Sequence, residues 1–157
     1  MLRDLVLDTN VLVHASNPSV GYYGSSLLLL SLLQDSATAI CVDEGYSPES
    51  ALNTSVIGHE YGEHLNHGMV AFAVIAALAA GDRLKQVSRS VPVAVARKIN
   101  QRVPKPHDRA FVRVAHNSED RTLASHDFSD FRVRVRKELR NELGVHILTA
   151  AEVASRM

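Results

Sequence analysis

One stretch near the amino terminus decides the fold: Leu5-Val6-Leu7-Asp8-Thr9-Asn10-Val11-Leu12-Val13. The apolar run before Asp8 is short and continuous, which is typical of a strand buried on both faces. Thr9 and Asn10 can cap a helix that follows the strand. Asp8 is therefore expected at the carboxyl end of a central parallel strand, the edge at which open α/β sheets bind ligands. Taken alone, such an aspartate is more often a cap or turn residue than a ligand.

The composition is that of a single globular domain over residues 1–157. Hydrophobic residues make up 46% of the chain and charged residues 22%, which suits a soluble domain with a real core. The one cysteine excludes an internal disulfide. Arg3 and Asp4 make the start unlike a signal peptide, and the apolar runs fall short of the roughly 20 residues that span a bilayer. We therefore expect a cytoplasmic protein with no membrane association.

Charge is divided unevenly along the chain, although the formal net charge is zero. Residues 1–80 carry a net charge of −7, residues 81–140 carry +8, and residues 141–157 carry −1. This asymmetry is typical of a nucleic-acid surface on the basic part, and equally of two halves that attract each other within one fold.

Short apolar segments alternate with helical segments along the whole chain. Strands are predicted at residues 5–8, 38–42, 84–88, 122–125 and 145–148. Helices are predicted between the strands and after the last one, where Thr149 is the expected cap. This alternation predicts a three-layer α/β/α sandwich with a central, mostly parallel sheet.

Local signals fix the ends of several predicted helices. Ser47-Pro48-Glu49 is typical of a helix start and predicts an interrupted helix over residues 48–55. Ser25 or Ser26 is expected to cap a leucine-rich helix, and a basic helix is expected over residues 129–143. Leucines cover nearly every face of the leucine-rich helix. This helix could form a homodimer interface, and a role as a core helix is the simpler explanation.

Aspartates end two of the predicted strands and open one helix. Asp8 ends the first strand, Asp127 follows the strand at 122–125, and Asp108 lies in the first turn of the preceding helix. In a parallel sheet these carboxylates can converge on one edge, where they would repel one another. A hard divalent cation removes that conflict, and magnesium or manganese prefers oxygen ligands. Such an ion can activate water, so the pattern indicates hydrolysis of a phosphate ester.

The chain resembles the PIN-domain ribonucleases, and among them the toxins of VapC-type toxin–antitoxin pairs. The resemblance spans Leu5 to about Thr149, and the order and spacing of four motifs carry it. The matching segments are Leu5-Val6-Leu7-Asp8-Thr9-Asn10-Val11-Leu12, Glu60-Tyr61, Asp108-Arg109-Ala110-Phe111-Val112 and Leu123-Ala124-Ser125-His126-Asp127-Phe128.

The resemblance implies a catalytic site and a reaction. Carried over residue by residue, the catalytic and metal-binding acids would be Asp8, Glu60, Asp108 and Asp127. The implied cofactor is Mg²⁺ or Mn²⁺, and the implied reaction is endonucleolytic cleavage of RNA. Water would attack in line and leave a 5′-phosphate.

The resemblance also implies supporting residues and a partner. Thr9 matches a hydroxyl that supports the site, and Asn10 matches a position that orients the first acid. The implied biological role is the toxin of a type II pair, held inactive by an antitoxin protein. The chain is somewhat longer than compact toxins, so an RNA-processing PIN protein is the alternative role.

The second acid and the last acid each have competitors in the sequence. Glu60 is favoured as the second acid because it follows Val56 and Ile57 in a helical context. Glu44 is the second choice, and Asp43 and Glu49 also lie close to the end of the second strand. Asp130 competes with Asp127, which follows its strand more directly.

Basic residues in the second half predict an RNA-binding rim. The substrate contacts proposed here are Arg109, Arg113, His126 and Arg132. The alternative for the helix at 129–143 is that its basic residues form a solvated charged face. The alternative for the histidine at 126 is that it lies in an exposed loop without contacting substrate. Phosphate contacts of this kind would bring affinity and salt dependence without sequence choice.

Three other classes of function compete with a nuclease. His59 and His64 lie five residues apart, whereas metalloprotease histidines lie four apart on one helix face, so zinc is disfavoured. An aspartyl-phosphate phosphatase would need a second aspartate where Asn10 stands. A catalytically inactive PIN-like binding module keeps the fold without the chemistry, and the intact acids argue against it.

Overall fold

The computed structural model describes all 157 residues, which form five strands and eight helices. In chain order these are β1 (Asp4–Leu7), α1 (Thr9–His14), α2 (Tyr23–Asp35), β2 (Ala39–Asp43), α3 (Val56–His64), α4 (Val70–Ala80), β3 (Leu84–Val87), α5 (Val93–Arg102), α6 (Pro106–Asn117), β4 (Thr122–Ala124), α7 (Val133–Leu143), β5 (His146–Leu148) and α8 (Ala150–Ala154). The strands form one sheet in the order β3-β2-β1-β4-β5, and every pairing is parallel. The predicted three-layer α/β/α sandwich is confirmed.

β1 lies at the centre of the sheet because it is apolar throughout its interior and can be buried on both faces. It pairs with β2 on one side, where Leu5 is opposite Ile40, and with β4 on the other, where Leu7 is opposite Ala124. β2 and β3 extend the sheet on one side of β1, and β4 and β5 extend it on the other side. The carboxyl end of β1 is therefore the topological switch point, where such sheets form a ligand crevice.

One hydrophobic core of 34 buried residues fills the space around the sheet. Leu5 and Leu7 from β1 are fully buried, as are Phe111 of α6 and Phe131 before α7. Each such side chain contributes roughly 1.5–3 kcal/mol by leaving water. This packing fixes α6 against β1, β2 and β4, and so fixes the helix that carries Asp108.

The predicted helix over residues 48–55 is wrong. Those residues form a single turn, closed by a bond from the Leu52 amide to the Glu49 carbonyl oxygen. Leu52 is 65% exposed, so a helix here would have no apolar face to bury. The Asn53 side chain also diverts the backbone, because it accepts from the Ser47 amide and donates to the Ser55 carbonyl oxygen.

Two predicted helix starts are displaced. α2 begins at Tyr23, so Ser25 and Ser26 lie inside its first turn and neither is the cap. α7 begins at Val133 and not at residue 129. The intervening turn is held by the Asp127 carboxylate, which accepts from nearby amides and competes with helix formation.

The leucine-rich helix α2 serves mainly as a core element. Leu29, Leu30 and Leu33 are buried, and the helix packs against α8, α4 and α1. Leu28 remains 54% exposed. No helix combines the length and the apolar character that a membrane crossing requires.

Candidate active site at the carboxyl edge of the sheet

Asp8 lies directly after β1, where its backbone amide donates to the Ala124 carbonyl oxygen at 2.9 Å. Its side chain is only 7% exposed. The Oδ2 atom accepts from Ser125 Oγ at 2.6 Å and from Asn10 Nδ2 at 3.0 Å. Burial raises the pKa of Asp8, and the hydrogen bond from Ser125 opposes that rise. The carboxylate is thus desolvated and held in a fixed orientation.

Two polar side chains connect Asp8 with the loop after β4. Ser125 Oγ also accepts from the Asp127 amide at 3.1 Å, and Asn10 Oδ1 accepts from the His126 amide at 3.1 Å. Asn10 therefore contacts both Asp8 and the loop after β4. Ser125 was missed, although its position directly after a buried strand and opposite Asp8 was a usable signal.

Three further aspartates meet beside Asp8, and we call them the aspartate cluster: Asp108, Asp127 and Asp130. Their carboxylate oxygens lie within 4.8 Å of one another. Asp108 comes from the first turn of α6 and is 5% exposed, while the other two come from the turn between β4 and α7. From the sequence, Asp130 was an alternative to Asp127 as the last acid of the site. In the structure both residues belong to the same cluster.

The turn that presents Asp127 is built from its own side chain. Asp127 Oδ1 accepts from the amides of Ser129 and Asp130, at 3.0 and 2.9 Å, and from the Ser129 hydroxyl at 2.9 Å. These bonds lower the pKa of Asp127 against the opposing effect of burial. Arg136 Nη2 secures the same turn by donating to the carbonyl oxygens of Ser125 and Asp127.

Within the aspartate cluster, Asp108 has the most strongly shifted pKa. Burial, the negative charge of Asp8 and the nearby Asp130 together raise its pKa to about 7. Lys105 Nζ lies 2.6 Å from Asp130 Oδ2, and His107 Nε2 lies 3.3 Å from Asp108 Oδ1. These two groups offset only part of the negative charge.

The donor set fits a hard divalent cation. Every candidate ligand is a carboxylate oxygen, the type that magnesium and manganese prefer. Asp108 Oδ2 is buried and has no hydrogen-bond donor, although a buried polar atom normally has one. A cation held between the aspartate cluster and Asp8 would satisfy that atom and relieve the repulsion.

Asp43 and Glu44 at the end of β2 do not join this group. Asp43 is fully buried, but its carboxylate accepts from Ser55 Oγ at 2.5 Å and from the amides of Val56 and Ile57 at 2.8 and 2.9 Å. It therefore caps the start of α3. Glu44 is exposed.

Glu60 lies on α3, next to the helix face that packs on the site. Its carboxylate is 3.6 Å from His64 Nε2 and forms no other ion pair or hydrogen bond. The neighbouring Tyr61 hydroxyl donates to the Leu7 carbonyl oxygen at 2.6 Å, which anchors α3 directly before Asp8. Glu60 is thus on an element tied to the site but outside the aspartate cluster.

Thr9 is buried, and its Oγ1 has no hydrogen-bond partner. The structure gives it no bond to Asp8. A supporting role for this hydroxyl therefore stays a prediction from the resemblance.

The predicted substrate contacts have different surroundings. Arg109 donates to the carbonyl oxygens of Val103 and Pro104, so its guanidinium holds the end of α5. His126 is 6% exposed, with Nε2 accepting from the Ala150 amide at 3.0 Å and Nδ1 lying 2.9 Å from His14 Nδ1. The exposed loop position expected for His126 is therefore wrong, and its role as a substrate contact stays a prediction.

The substrate contacts expected at Arg132 and Arg113 stay predictions. Arg132 is exposed beside the turn that carries Asp127, and its Nε makes only a long 3.4 Å bond to the Ser129 carbonyl oxygen. Arg113 is half-buried on α6, and its Nε has no partner.

No protein-family model matches the chain, and no match is found among curated proteins or among solved structures. The likeness to PIN-domain ribonucleases therefore rests on the sequence motifs alone. The fold and the aspartate cluster stand independently of it.

Proposed function

We propose that this protein is a metal-dependent endoribonuclease that hydrolyses RNA phosphodiesters. One observation carries the proposal: the aspartate cluster meets at the carboxyl edge of the sheet, where the charge of Asp8 acts on Asp108. Acids placed together repel one another, and the repulsion is relieved when one of them is protonated or when a cation binds between them. The unsatisfied Asp108 Oδ2 supports a ligand over a purely structural network.

Each part of the site has a role in this proposal. The aspartate cluster and Asp8 would hold Mg²⁺ or Mn²⁺. When bound, such a cation neutralises phosphate charge and lowers the pKa of water. Asn10 and Ser125 keep Asp8 in position, and burial shields Asp8 and Asp108 from bulk water.

The decisive test replaces Asp8 by asparagine, which keeps the shape and removes the charge. Asp8→Asn should reduce Mg²⁺- or Mn²⁺-dependent cleavage of RNA by about 100-fold or more. Circular dichroism should show an unchanged fold. The matched control is Asp35→Asn, an exposed aspartate at the end of α2, which should cleave normally. Undiminished RNA cleavage by Asp8→Asn or by metal-free protein would contradict the metal-dependent mechanism.

A paired substitution decides the second acid. Glu60→Gln should lower cleavage and Mn²⁺ affinity, whereas Glu44→Gln should leave both unchanged. The opposite result would transfer the role to Glu44, and no effect of either would restrict the site to the aspartates.

The biological role that the resemblance favours is the toxin of a type II toxin–antitoxin pair, acting on cytoplasmic RNA and held inactive by an antitoxin protein. Expression of the chain alone should then arrest growth, and Asp8→Asn should not. Harmless expression of an active nuclease would instead favour the RNA-processing role. A purified protein without nuclease activity would favour the inactive binding module.

A further inference from the structure

Two exposed aromatic rings are linked to the two residues next to Asp127 in the chain. One ring stacks on the residue before Asp127, and the other belongs to the residue after it. The chain has four tyrosines and four phenylalanines, and of these only Tyr22 and Phe128 are exposed, at 37% and 40%. Tyr22 stacks on His126, the residue before Asp127, and Phe128 is the residue after it. Exposed aromatic surface is therefore concentrated next to the aspartate cluster.

The Tyr22 ring is supported on one face by a pair of histidines. Its centroid lies 3.9 Å from that of His126, with ring planes 10° apart. His14 and His126 have nearly parallel rings and a 2.9 Å contact between their Nδ1 atoms, so they meet edge to edge. Tyr22 lies over this pair, and 37% of the residue remains exposed to solvent.

The Phe128 ring is supported in the same way by a guanidinium group. Arg136 Cζ lies 3.9 Å from the ring centroid. That guanidinium is itself fixed, because it donates to the carbonyl oxygens of Phe131, Ser125 and Asp127 at 2.7, 3.1 and 3.2 Å. One face of Phe128 is thus covered by a cation and the ring is held in place.

We propose that Tyr22 and Phe128 are stacking positions for unpaired nucleobases on either side of the phosphodiester that faces the aspartate cluster. This inference rests on the proposed nuclease function and adds two base-contacting residues to its site. Rigid, one-sided aromatic faces accept any base, because every base has a π-face. Bases inside a duplex are already stacked on one another and cannot use them.

Recognition of this kind separates two tasks within the site. The aspartate cluster acts on the backbone phosphate, and the rings bind the bases that adjoin it. Since stacking is tolerant of sequence, the rings would select unpaired RNA over duplex RNA without choosing a sequence.

The absence of tryptophan from the chain provides a direct probe. Tyr22→Trp and Phe128→Trp, each made in the Asp8→Asn protein with Mg²⁺ present, place a single tryptophan at one ring. Saturable quenching by an unstructured 12-nucleotide RNA is expected at both positions. A 12-base-pair duplex and an abasic oligonucleotide of equal length should quench neither. Leu52→Trp, at an exposed turn outside the site, is the matched control and should stay unquenched.

Alanine variants test the same rings by affinity. Tyr22→Ala and Phe128→Ala should each weaken binding of the 12-nucleotide RNA by about 5- to 150-fold, measured by fluorescence polarisation. Tyr22→Phe and Phe128→Tyr keep the ring and should bind within about twofold of the parent, which separates stacking from loss of fold.

The outcomes distinguish the two proposals. Unquenched tryptophans at RNA concentrations that saturate polarisation, or alanine variants with unchanged affinity, would overturn the stacking inference while leaving the nuclease intact. A protein that neither binds nor cleaves RNA would remove the proposed function as well.

Discussion

Ser125 joins the two acidic positions of the site at the scale of a single residue. Its hydroxyl donates to Asp8 and accepts from the amide of Asp127, and the side chain is fully buried. One small group therefore sets both the orientation of the first acid and the path of the loop that carries the last. Groups that orient metal ligands in this way typically change metal affinity when they are removed.

Ser125→Ala should weaken Mn²⁺ binding by about 10- to 100-fold, because Asp8 loses its shortest hydrogen bond and the Asp127 amide loses its acceptor. Isothermal titration calorimetry measures this directly. Ser155→Ala, which removes a hydroxyl bonded to the Glu152 carbonyl oxygen on α8, is the control. Equal Mn²⁺ affinities for the two variants would show that Ser125 does not position the ligands.

Asp108 makes the stability of the metal-free protein depend on pH. Because its folded pKa is raised to about 7, the native state binds this proton more tightly than the unfolded chain does. The stabilisation is complete below the ordinary pKa of aspartate and is lost as the pH rises through about 7.

Asp108→Asn mimics the protonated form and should escape that loss. In EDTA at pH 8 its melting temperature should exceed that of the unsubstituted protein by about 5 °C or more, and the gap should close towards pH 5. Thermal melts from pH 5 to 8 provide the measurement, and comparing the two proteins cancels the titration of the histidines. Parallel curves with a constant gap would contradict a raised pKa at Asp108.

At the scale of elements, α3 depends on the last residue of β2. The Asp43 carboxylate accepts from two amides at the start of α3 and from Ser55 Oγ, and Arg89 Nε lies 2.9 Å from it. A negative charge at a helix start also favours the helix dipole. An acid at a strand end thus fixes the position of α3, and with it Tyr61 against β1.

Asp43→Ala should lower the free energy of unfolding by about 3 kcal/mol, since it leaves buried amides and a guanidinium without their acceptor. Urea denaturation measures the change. Glu44→Ala alters the adjacent exposed acid and should change stability by no more than about 0.5 kcal/mol. If both variants were equally stable, the capping role of Asp43 would be wrong.

At the scale of the whole molecule, many of the cations in the basic half are engaged within the fold. Some bind carbonyl oxygens, and others pair with acids of either half. Lys85–Asp4 and Arg89–Asp43 pair a cation of the second half with an acid of the first half. Attraction between the two halves therefore accounts for part of the charge asymmetry, and fewer cations remain for RNA than the sequence offers.

The salt dependence of RNA binding should report only the free cations. Arg132→Gln should reduce the slope of log K against log salt by about 0.7, the value for one single-strand phosphate contact. Arg102→Gln should leave the slope unchanged, because Arg102 is paired with Glu138 and Glu142 at 3.2 and 2.8 Å. Fluorescence polarisation between 50 and 300 mM salt tests this, and equal slopes for the two variants would contradict it.

Much of this fold could be predicted because its strands are short, apolar and separated by helical segments. The parallel sheet follows from that alternation, and the closeness of Asp108 to Asp127 follows from the rule that parallel strands end at one edge. The turn at residues 48–52 could not be predicted in this way. Its conformation depends on the Asn53 side chain and on the lack of an apolar face.

The sequence by itself determined the architecture, the central position of β1 and the acids at the end of it, since hydrophobic periodicity and strand ends are local properties. Tertiary structure decided what each polar group does. It brought Asp130 to Asp108 and Asp127, assigned Asp43 to a helix cap, buried His126 and placed Ser125 between two acids. These outcomes depend on contacts between residues far apart in the chain, which form only when the whole sheet closes around β1.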